Sequence, residues 1–525
     1  IMMTALVAPN IAGAAGAVPF SGEDPATGTR TVTIADITDF HGHIEHGADV
    51  AAAFTLADSH NPDNMVPVST GDLVGGSPYE SAVKQDKPTL DMAKVWGLTV
   101  SAVGNHEFDR SVADFNNRVA APANGIDWLC ANVSSANKSA TGKLSHVKDY
   151  TIRTVNGKRI GFVGALTDAL GSVATPQITE DADLSERAVD ALNRVAGELK
   201  RSGKVDAVVA LLHADASAAT GLGRDVDLAY TGHTHAVKQG VADGGAPIYE
   251  AGSFGQNMAV QDLIITGHGR HAKVQVADAN LGNGTEATAV PGVLNVEGLD
   301  AHPRQAAWMS AGVVSNGSVA RSRQLYTKAK DYAASAGNAV IGTLAPGTNF
   351  DKRTSVGHEG SVGMLVADAN RESIMRNVYA GTRLPVVGFS NNGSLRTKQL
   401  DMDEDGKVTI REVDSLMALQ FHAAHETLTG LGLKAVLAQQ FHRNDDGELE
   451  HRWLGISSNV RYRYVQCGDG GATCTLGDSD GNGNQHTGVK ATVGIVDLTI
   501  DGRPIADDDL VIIASNTESD RKSVV

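Results

Sequence analysis

The sequence is poor in basic residues and in long apolar runs, and each shortage excludes a class of protein. Its 525 residues include 44 lysines and arginines against 61 aspartates and glutamates, a net charge of -17. Such a surface cannot neutralise a row of phosphates, so we expect no nucleic acid polymer as a partner. No apolar run beyond the N-terminus approaches the roughly 20 residues that a membrane-spanning helix needs, so no membrane span is predicted.

Cysteine is also scarce, with three residues in the whole chain. Cys467 and Cys474 lie in the Gly-rich stretch CGDGGATC, a spacing that could close a small disulfide in an oxidising compartment. Cys130 stands alone in an apolar stretch. We expect it to be a buried apolar side chain rather than a nucleophile.

The first 30 residues indicate export. Residues 1–17 are apolar and small, and they end in Ala15-Gly16-Ala17, the form of a signal-peptidase site. The charged segment that usually precedes such a run is missing. We interpret residues 1–30 as the remnant of an export signal and a poorly ordered entry; the alternative is an Ala-rich disordered start. The expected location is extracellular or periplasmic, with attachment to a cell wall left open.

The rest of the chain has the pattern of an α/β protein with two domains, 31–290 and 339–525. In the first domain, β-branched runs predict the strands, and apolar periodicity predicts an amphipathic helix at 185–200. The predicted strands are 31–37, 65–69, 99–103, 159–165, 207–212 and 228–231. A helical, strand-poor segment at 291–338 suits a linker. The second domain mixes helices such as 361–370 and 432–440 with strands such as 385–390 and 510–514.

Side chains that bind metal ions follow one predicted strand after another in the first domain. They are Asp39, His41, Asp72, Asn105, His213, His233 and His235, with His106 directly after Asn105. Loops at the carboxyl ends of α/β strands converge on one edge of a sheet, so these distant residues can build one site. Imidazole and carboxylate ligands suit zinc, manganese or iron.

The chemistry that such a set serves best is phosphate ester hydrolysis. Two ions about 3.5 to 4 Å apart share a water, lower its pKa and neutralise the phosphoryl oxygens, and they need a bridging carboxylate. Asp72 is the natural bridge, because it lies between the Asp39 and Asn105 motifs. Gly75 and Gly76 follow it and let the backbone pass close to the ions.

The motifs D-x-H, G-D, G-N-H-E-F-D, a lone His after a strand and G-H-x-H resemble those of the calcineurin-like metallophosphoesterases. The full spelling GNHEFD resembles the 5′-nucleotidase branch, which includes bacterial UDP-sugar hydrolases. The resemblance implies a four-layer β-sandwich flanked by helices, a linker helix and a C-terminal α/β substrate-binding domain. It also implies that His106 contacts the phosphate and that Asp109 orients the imidazole of His106. The implied metal ligands are Asp39, His41, Asp72 and His235 for one ion, and Asp72, Asn105, His213 and His233 for the other.

The second domain resembles the family's nucleoside-binding domain. The stretch FSNNGSLR, residues 389–396, resembles a family turn, so Asn391 and Arg396 match positions that contact substrate. The alternative is a capped turn with a surface arginine. In LQFHAA, Phe421 matches the ring that stacks on the base.

Two departures leave the substrate less well specified than the reaction. Val356 stands where the family has an arginine, so Arg353 would have to substitute. Asn516 stands where the family's second stacking motif should begin, and the motif does not follow it, so either the sequence is cut short at its C-terminus or the base sandwich is incomplete.

An acidic loop at residues 401–412, DMDEDGKVTIRE, satisfies the EF-hand pattern D-x-D-x-D-G-x5-E, with Gly406 at the sharp bend. The predicted calcium ligands are Asp401, Asp403, Asp405, Lys407, Thr409 and Glu412. The alternative is an acidic surface hairpin, since DGKVT also fits a stretch that the family often has there.

Together these features predict an exported phosphohydrolase that cleaves 5′-nucleotides to nucleoside and phosphate with metal-activated water. The same metal site could serve a UDP-sugar or nucleotide pyrophosphatase or a 2′,3′-cyclic-nucleotide phosphodiesterase. A non-catalytic exported binding or adhesion protein is the alternative of another class. It is disfavoured because none of the seven candidate ligands is lost. The sequence does not predict an oligomeric state.

Overall fold

The computed structural model describes residues 28–174, 176–281, 288–302, 317–352, 360–418, 423–443, 449–451, 453–467, 474–479 and 485–516. They form two compact units. The first comprises residues 28–170 and 177–332, and the second comprises the short stretch 171–176 and the residues from 333 onward.

The chain to residue 337 contains fourteen of the described strands and eight of the described helices. The strands are β1 Thr29–Ile37, β2 Met65–Ser69, β3 Val100–Ala102, β4 Asp127–Leu129, β5 Val147–Lys148, β6 Tyr150–Val155, β7 Lys158–Leu166, β8 Ala207–His213, β9 Leu228–Thr231, β10 Val237–Val241, β11 Pro247–Ala251, β12 Asn257–Thr266, β13 Lys273–Asp278 and β14 Val293–Asn295. The helices are α1 Gly47–His60, α2 Tyr79–Ala82, α3 Lys87–Val95, α4 Val112–Asp114, α5 Leu170–Val173, α6 Pro176–Ala182, α7 Ala188–Ser202 and α8 Ser318–Gly337.

The strands of the first unit form two stacked sheets. One has the order β13-β12-β1-β2-β3-β4-β5, with β14 also paired to β12, and the other has the order β10-β11-β9-β8-β7-β6. The inner faces meet in one core, which includes Ile34 and Val68 of the first sheet and Phe162 and Leu211 of the second. α1 packs against β1, β2 and β12, and α7 packs against β7 and β8. The unit is therefore the predicted four-layer sandwich.

Parallel pairing gives both sheets a common functional edge. β1, β2, β3 and β4 pair in parallel, as do β7, β8 and β9. The carboxyl ends of these strands, where the candidate ligands lie in sequence, therefore lie at the same edge of each sheet.

The predicted strands of the first domain are all present, but part of the proposed linker is not helical. Val293–Asn295 forms a strand that pairs antiparallel with β12. Val293 and Leu294 are 2% and 5% exposed, so burial of these two side chains favours a sheet over a solvated linker. The next α-helix along the described chain is α8, Ser318–Gly337.

The second unit is a smaller α/β structure. Its strands are β15 Val340–Thr343, β16 Val386–Asn391, β17 Lys407–Thr409, β18 Ala423–Thr429, β19 Phe441–Arg443, β20 Leu449–His451, β21 Leu454–Ile456, β22 Val460–Gln466, β23 Cys474–Ser479, β24 Gln485–Ala491, β25 Val493–Ile500, β26 Arg503–Pro504 and β27 Leu510–Asn516. Its helices are α9 Ser361–Asn377, α10 Ile410–Leu416 and α11 Gly430–Gln439. The main sheet has the order β18-β27-β16-β21, and α9 packs against β16, β21 and β27. α11 packs against β25, which lies in a separate three-stranded sheet.

The cysteines have two different states. Cys467 is disulfide-bonded, whereas Cys130 is a free thiol with no exposed surface. Burial raises the pKa of the Cys130 thiol to about 12, so this side chain is unreactive as a nucleophile, as expected. Among the described residues, every helix is too short or too polar to pass through a membrane.

Candidate metal centre and substrate-binding segments

All seven candidate metal ligands lie at the carboxyl ends of parallel strands in the first unit. Asp39 and His41 follow β1, Asp72 follows β2, Asn105 follows β3, His213 ends β8, and His233 and His235 follow β9. The structure brings donor atoms of six of them, together with His106, into overlapping groups, within each of which the atoms lie within 4.8 Å of one another. The groups are Asp39 with His41 and His235, His41 with Asp72 and His106, and Asp72 with His213 and His233.

Asp72 lies between the two sets of ligands that the sequence predicted. Its Oδ2 is 3.1 Å from Nε2 of His213 and 3.6 Å from Nε2 of His41. The amide oxygen of Asn105 is 3.2 Å from the same nitrogen of His213. On the other side, Nε2 of His235 is 3.5 Å from Oδ1 of Asp39. One carboxylate is thus shared by both sets of donors, as a bridging ligand requires.

Backbone carbonyls fix two of the imidazole rings. Nδ1 of His41 donates to the carbonyl oxygen of Gly75 at 2.8 Å, and Nδ1 of His213 donates to that of Thr70 at 2.9 Å. A hydrogen bond at one ring nitrogen leaves the other, Nε2, as the metal-ligating atom. The donor chemistry and its orientation therefore fit a pair of divalent ions.

The backbone at the site is held in an unfavourable conformation. Asp39, His41, Asp72, His233 and His235 have φ values of 51°, 46°, 49°, 77° and 58°. A left-handed conformation costs a residue with a Cβ roughly 1–2 kcal/mol, and such residues cluster at functional sites. Five of the seven candidate ligands share this strain, which supports a functional rather than a structural role for the loops.

The electrostatics of the cluster are also unusual. Burial raises the pKa of Asp39 to about 7. Burial acts to raise the pKa of Asp72 too, but the charges of His213 and His106 hold it well below its usual range. Burial and the charge of His213 lower the pKa of His233 to about 4, which keeps that imidazole neutral and able to bind a metal. Opposing shifts among close neighbours are typical of active sites.

His106 and Asp109 form a hydrogen-bonded pair beside the donors. Nδ1 of His106 is 2.9 and 3.0 Å from the two carboxylate oxygens of Asp109. The N–H of Gly76 donates to Oδ2 of Asp109 at 2.8 Å, which holds that carboxylate in turn. The backbone N–H of His106 donates to Oδ1 of Asp72 at 2.8 Å. The pair is thus tied to the shared carboxylate at the centre of the site.

Glu107 is a site residue that the sequence prediction missed. The residue is 2% exposed, and its carboxylate accepts hydrogen bonds from the N–H groups of Asp72, Leu73, Val74 and Gly104 at 2.6 to 3.3 Å. It therefore joins the loop after β2 to the loop after β3. Its place inside the GNHEFD motif was the available signal, but the motif does not reveal which backbone groups it would accept from.

The predicted substrate residues of the second unit are only partly described. Asn391 ends β16 and accepts a hydrogen bond from the N–H of Gly393 at 2.9 Å. Arg396 is exposed, and its N–H donates to the carbonyl oxygen of Leu416 at 2.9 Å. Both residues therefore lie on the one turn that the sequence predicted. Phe421, Arg353 and Val356 lie outside the described residues.

The acidic loop at 401–412 leads through β17 into α10. Asp401 and Glu412 are 2% and 1% exposed, and Gly406 has a φ of 77°, as the bend requires. Asp403, Asp405 and Lys407 are exposed. Thr409 caps α10, where its side chain accepts from the N–H of Glu412. Oε1 of Glu412 accepts from the N–H of Met402 at 2.8 Å, so the loop closes on its twelfth residue.

Comparisons with known proteins match two different families to two successive parts of the chain. The model of the family described as calcineurin-like phosphoesterase matches residues 32–237, and that of the 5′-nucleotidase C-terminal domain matches residues 340–517. Together the two models match most of the chain.

Two curated relatives show how much of longer proteins the chain covers. Endonuclease YhcR of Bacillus subtilis is 28% identical over 41% of this chain and 19% of its own length. Cell wall protein Lmo0130 of Listeria monocytogenes is 25% identical over 72% of this chain and 52% of its own length. The chain therefore spans about a fifth of the first of these relatives and about half of the second.

The fold is similar to that of a 5′-nucleotidase precursor from Thermus thermophilus. That structure matches with a TM-score of 0.61 and 16% identity over 93% of this chain and 90% of its own. At this identity the likeness is one of fold. From the two family models, the shared motifs and the matching architecture, the chain belongs to the calcineurin-like metallophosphoesterases that carry a 5′-nucleotidase C-terminal domain, a family of metal-dependent phosphoester hydrolases.

Proposed function

We propose that this chain hydrolyses phosphate esters of 5′-nucleotides at a centre of two divalent metal ions. The observation that carries the proposal is the position of Asp72, whose Oδ2 lies 3.1 Å from Nε2 of His213 and 3.6 Å from Nε2 of His41, one histidine from each of the two predicted ligand sets. A single shared carboxylate flanked by imidazoles is the arrangement that a two-metal phosphoesterase needs.

The ligand sets follow the sequence prediction. One ion would be held by Asp39, His41, Asp72 and His235, and the other by Asp72, Asn105, His213 and His233. Zinc, manganese and iron suit these nitrogen and oxygen donors. When bound, the two ions supply an acidified water and positive charge for the phosphoryl oxygens.

The protein's own contribution to the chemistry comes from His106 and Asp109. Asp109 holds Nδ1 of His106, so Nε2 is the nitrogen that can donate to a phosphoryl oxygen or to the leaving group. A carboxylate partner also favours the protonated imidazole, which an anionic ester requires. Loss of one such donor typically lowers kcat about 10²- to 10³-fold.

The second domain, from residue 339 onward, would select the nucleoside. Asn391 and Arg396 lie on one turn, where an amide can read a base and an arginine fork can bind an anionic or hydroxylated edge. Phe421 would stack on the base. The net charge of -17 favours a small anion over a polymer.

The test is phosphate release from AMP, UMP, UDP-glucose, 2′,3′-cyclic AMP and bis-p-nitrophenyl phosphate with manganese or zinc. We expect release from AMP or UMP, and a loss of about 10²- to 10³-fold in kcat in His106→Asn. Activity confined to UDP-glucose would instead assign a pyrophosphatase, and activity confined to the cyclic or diester substrates a phosphodiesterase. Metal binding without cleavage of any of the five would contradict the proposal and leave the binding or adhesion protein as the standing alternative.

Calcium in the loop 401–412 is a second, structural part of the proposal. The loop has an acidic residue at each EF-hand position that needs one, and it closes on Glu412. Asp401, Asp403, Asp405 and Glu412 would bind through their side chains, with Lys407 through its carbonyl and Thr409 through a water. Calcium should raise the melting temperature of the wild type and leave that of Glu412→Gln unchanged. An equal rise in both proteins, or none in either, would assign an acidic surface hairpin.

Export is the last part of the proposal. It is supported by the disulfide at Cys467, since disulfides persist in oxidising compartments, and by the cell wall protein among the relatives. Fractionation of the source cells with an antibody against this chain should find it outside the cytoplasm, free or on the wall. Recovery in the cytoplasmic fraction would contradict export.

A further inference from the structure

Glu250 is a fully buried acidic residue next to the candidate metal centre that belongs to neither ligand set. It lies on β11 and has no exposed surface. Its Oε1 accepts hydrogen bonds from the hydroxyl of Thr234 and, at 3.2 Å, from the N–H of Ala236. Both donors flank His235, and Thr234 separates His235 from His233. The carboxyl group is therefore bonded to the turn that carries two candidate ligands.

Burial of this group needs a reason, because taking a carboxyl group out of water is costly unless hydrogen bonds compensate for the loss. Within the described part of the chain, Oε2 of Glu250 has no hydrogen-bond partner. The nearby cation Lys238 pairs with Asp215 instead. The interactions that Glu250 does make are thus directed at the turn.

The turn itself is strained and is held from two sides. His233 and His235 have φ values of 77° and 58°, a conformation that each residue adopts only when its surroundings enforce it. On one side the N–H of His233 donates to both carboxylate oxygens of Asp39 at 3.0 Å. On the other side Glu250 binds Thr234 and Ala236. Without Glu250, the half of the turn that carries His235 would lose these two hydrogen bonds.

We propose that Glu250 is a positioning residue that holds His233 and His235 in the geometry required to bind metal. The proposal rests on the proposed function, which makes these two histidines ligands. Groups that orient metal ligands in this way typically contribute 10- to 100-fold to metal affinity. Glu250 acts through the turn, by its hydrogen bonds to Thr234 and Ala236, and is a member of neither proposed ligand set.

The test is the dissociation constant for Mn²⁺, measured by calorimetry on metal-free protein. Glu250→Ala should weaken binding about 10-fold or more, because it removes the acceptor for both donors. Glu250→Gln should remain close to wild type, because its amide oxygen can still accept from Thr234 and Ala236. Thr234→Val should also weaken binding. It removes the hydroxyl donor to Glu250, and the 3.3 Å contact of that hydroxyl to Oδ2 of Asp215, with the carboxyl group of Glu250 in place, so the proposal stays testable if Glu250→Ala does not fold.

Asp206→Asn is the matched control. Asp206 is another buried carboxylate of the same unit, and it accepts from the N–H groups of Arg159 and Gly269 and from the Arg159 side chain. This variant should lower the melting temperature and leave the Mn²⁺ dissociation constant unchanged. Wild-type affinity in folded Glu250→Ala and Thr234→Val would overturn the inference and leave the proposed function standing. A wild type that binds no Mn²⁺ would overturn both.

Discussion

At the scale of single residues, the site depends on carboxyl groups that bind backbone rather than metal. Glu107 joins the loops after β2 and β3 through four N–H donors, and Asp109 holds both Gly76 and His106. Sequence reasoning found Asp109 through the family resemblance and missed Glu107. The identity of an N–H donor cannot be read from a side-chain motif, because it depends on which loops the fold brings together.

Glu107→Ala should therefore destabilise the protein although it removes no candidate ligand. Each buried N–H group left unpaired costs about 1–3 kcal/mol, so we expect a loss of about 3 kcal/mol or more in the free energy of unfolding. Urea denaturation measures it. Glu198→Gln is the control, because the side chain of Glu198 is 59% exposed and its loss should change stability by less than about 0.5 kcal/mol. Equal stabilities of the two variants would contradict the role given to Glu107.

Asp206 allows a prediction of pH dependence away from the metal site. Burial acts to raise its pKa, but hydrogen bonds from Arg159 and from the N–H of Gly269 bring the pKa down to about 2. The unfolded value is near 3.9, so this carboxylate stabilises the folded state above pH 4, and the contribution is lost as pH falls towards 2. Asp206→Asn should cost about 1–3 kcal/mol at pH 6 and less at pH 2.5. A difference from wild type that did not change between these pH values would contradict the assignment.

At the scale of elements, the strand–loop units position the ligands, and glycines let the loops approach closely. Gly75 has a φ of 86°, and a Cβ there would lie 2.2 Å from the carbonyl oxygen of His106 and 2.7 Å from Oδ2 of Asp109. Its own carbonyl accepts from His41. This one position thus contacts both the candidate ligand His41 and the pair of His106 and Asp109.

Gly75→Ala should reduce the free energy of unfolding by about 3 kcal/mol or more, because both the strain and the collision must be relieved. Gly157→Ala is the matched control. Gly157 has a similar φ of 72°, but a Cβ there would have nothing within 4 Å. The control should therefore cost about 1 kcal/mol, the strain of the conformation alone. Similar unfolding midpoints in urea for the two variants would show that the loop can rearrange to make room for a Cβ at Gly75, and would contradict the prediction.

The regular elements were the part of the fold that the sequence predicted best. Buried parallel strands such as β2 and β8 are continuous apolar runs, and polar candidate ligands mark their ends, so the positions of these strands were readable. β14 was missed because three residues in a proposed linker carry too little periodicity to show a strand. The left-handed φ values of Asp39, His41 and Asp72 were also not predictable, since contacts between loops enforce them.

At the scale of the whole molecule, the states of the cysteines bear on the compartment. Cys467 is disulfide-bonded and Cys130 is a buried free thiol. Of the three cysteines in the chain, one should therefore react with Ellman's reagent in denaturant without reductant, and all three should react after reduction. The native protein should give almost no reaction. Three reactive thiols before reduction would contradict the disulfide and weaken the argument for export.

The first unit carries the candidate metal ligands at one edge, and the central claim is that this edge performs metal-dependent phosphate ester hydrolysis. The most direct test is phosphate release from AMP by protein stripped with a chelator and then resupplied with Mn²⁺, with Asp72→Asn measured alongside. Stripping should abolish release, and Mn²⁺ should restore it in the wild type but not in the variant, because Asp72 is shared by both ligand sets. Undiminished release after stripping, or full restoration in Asp72→Asn, would contradict the account.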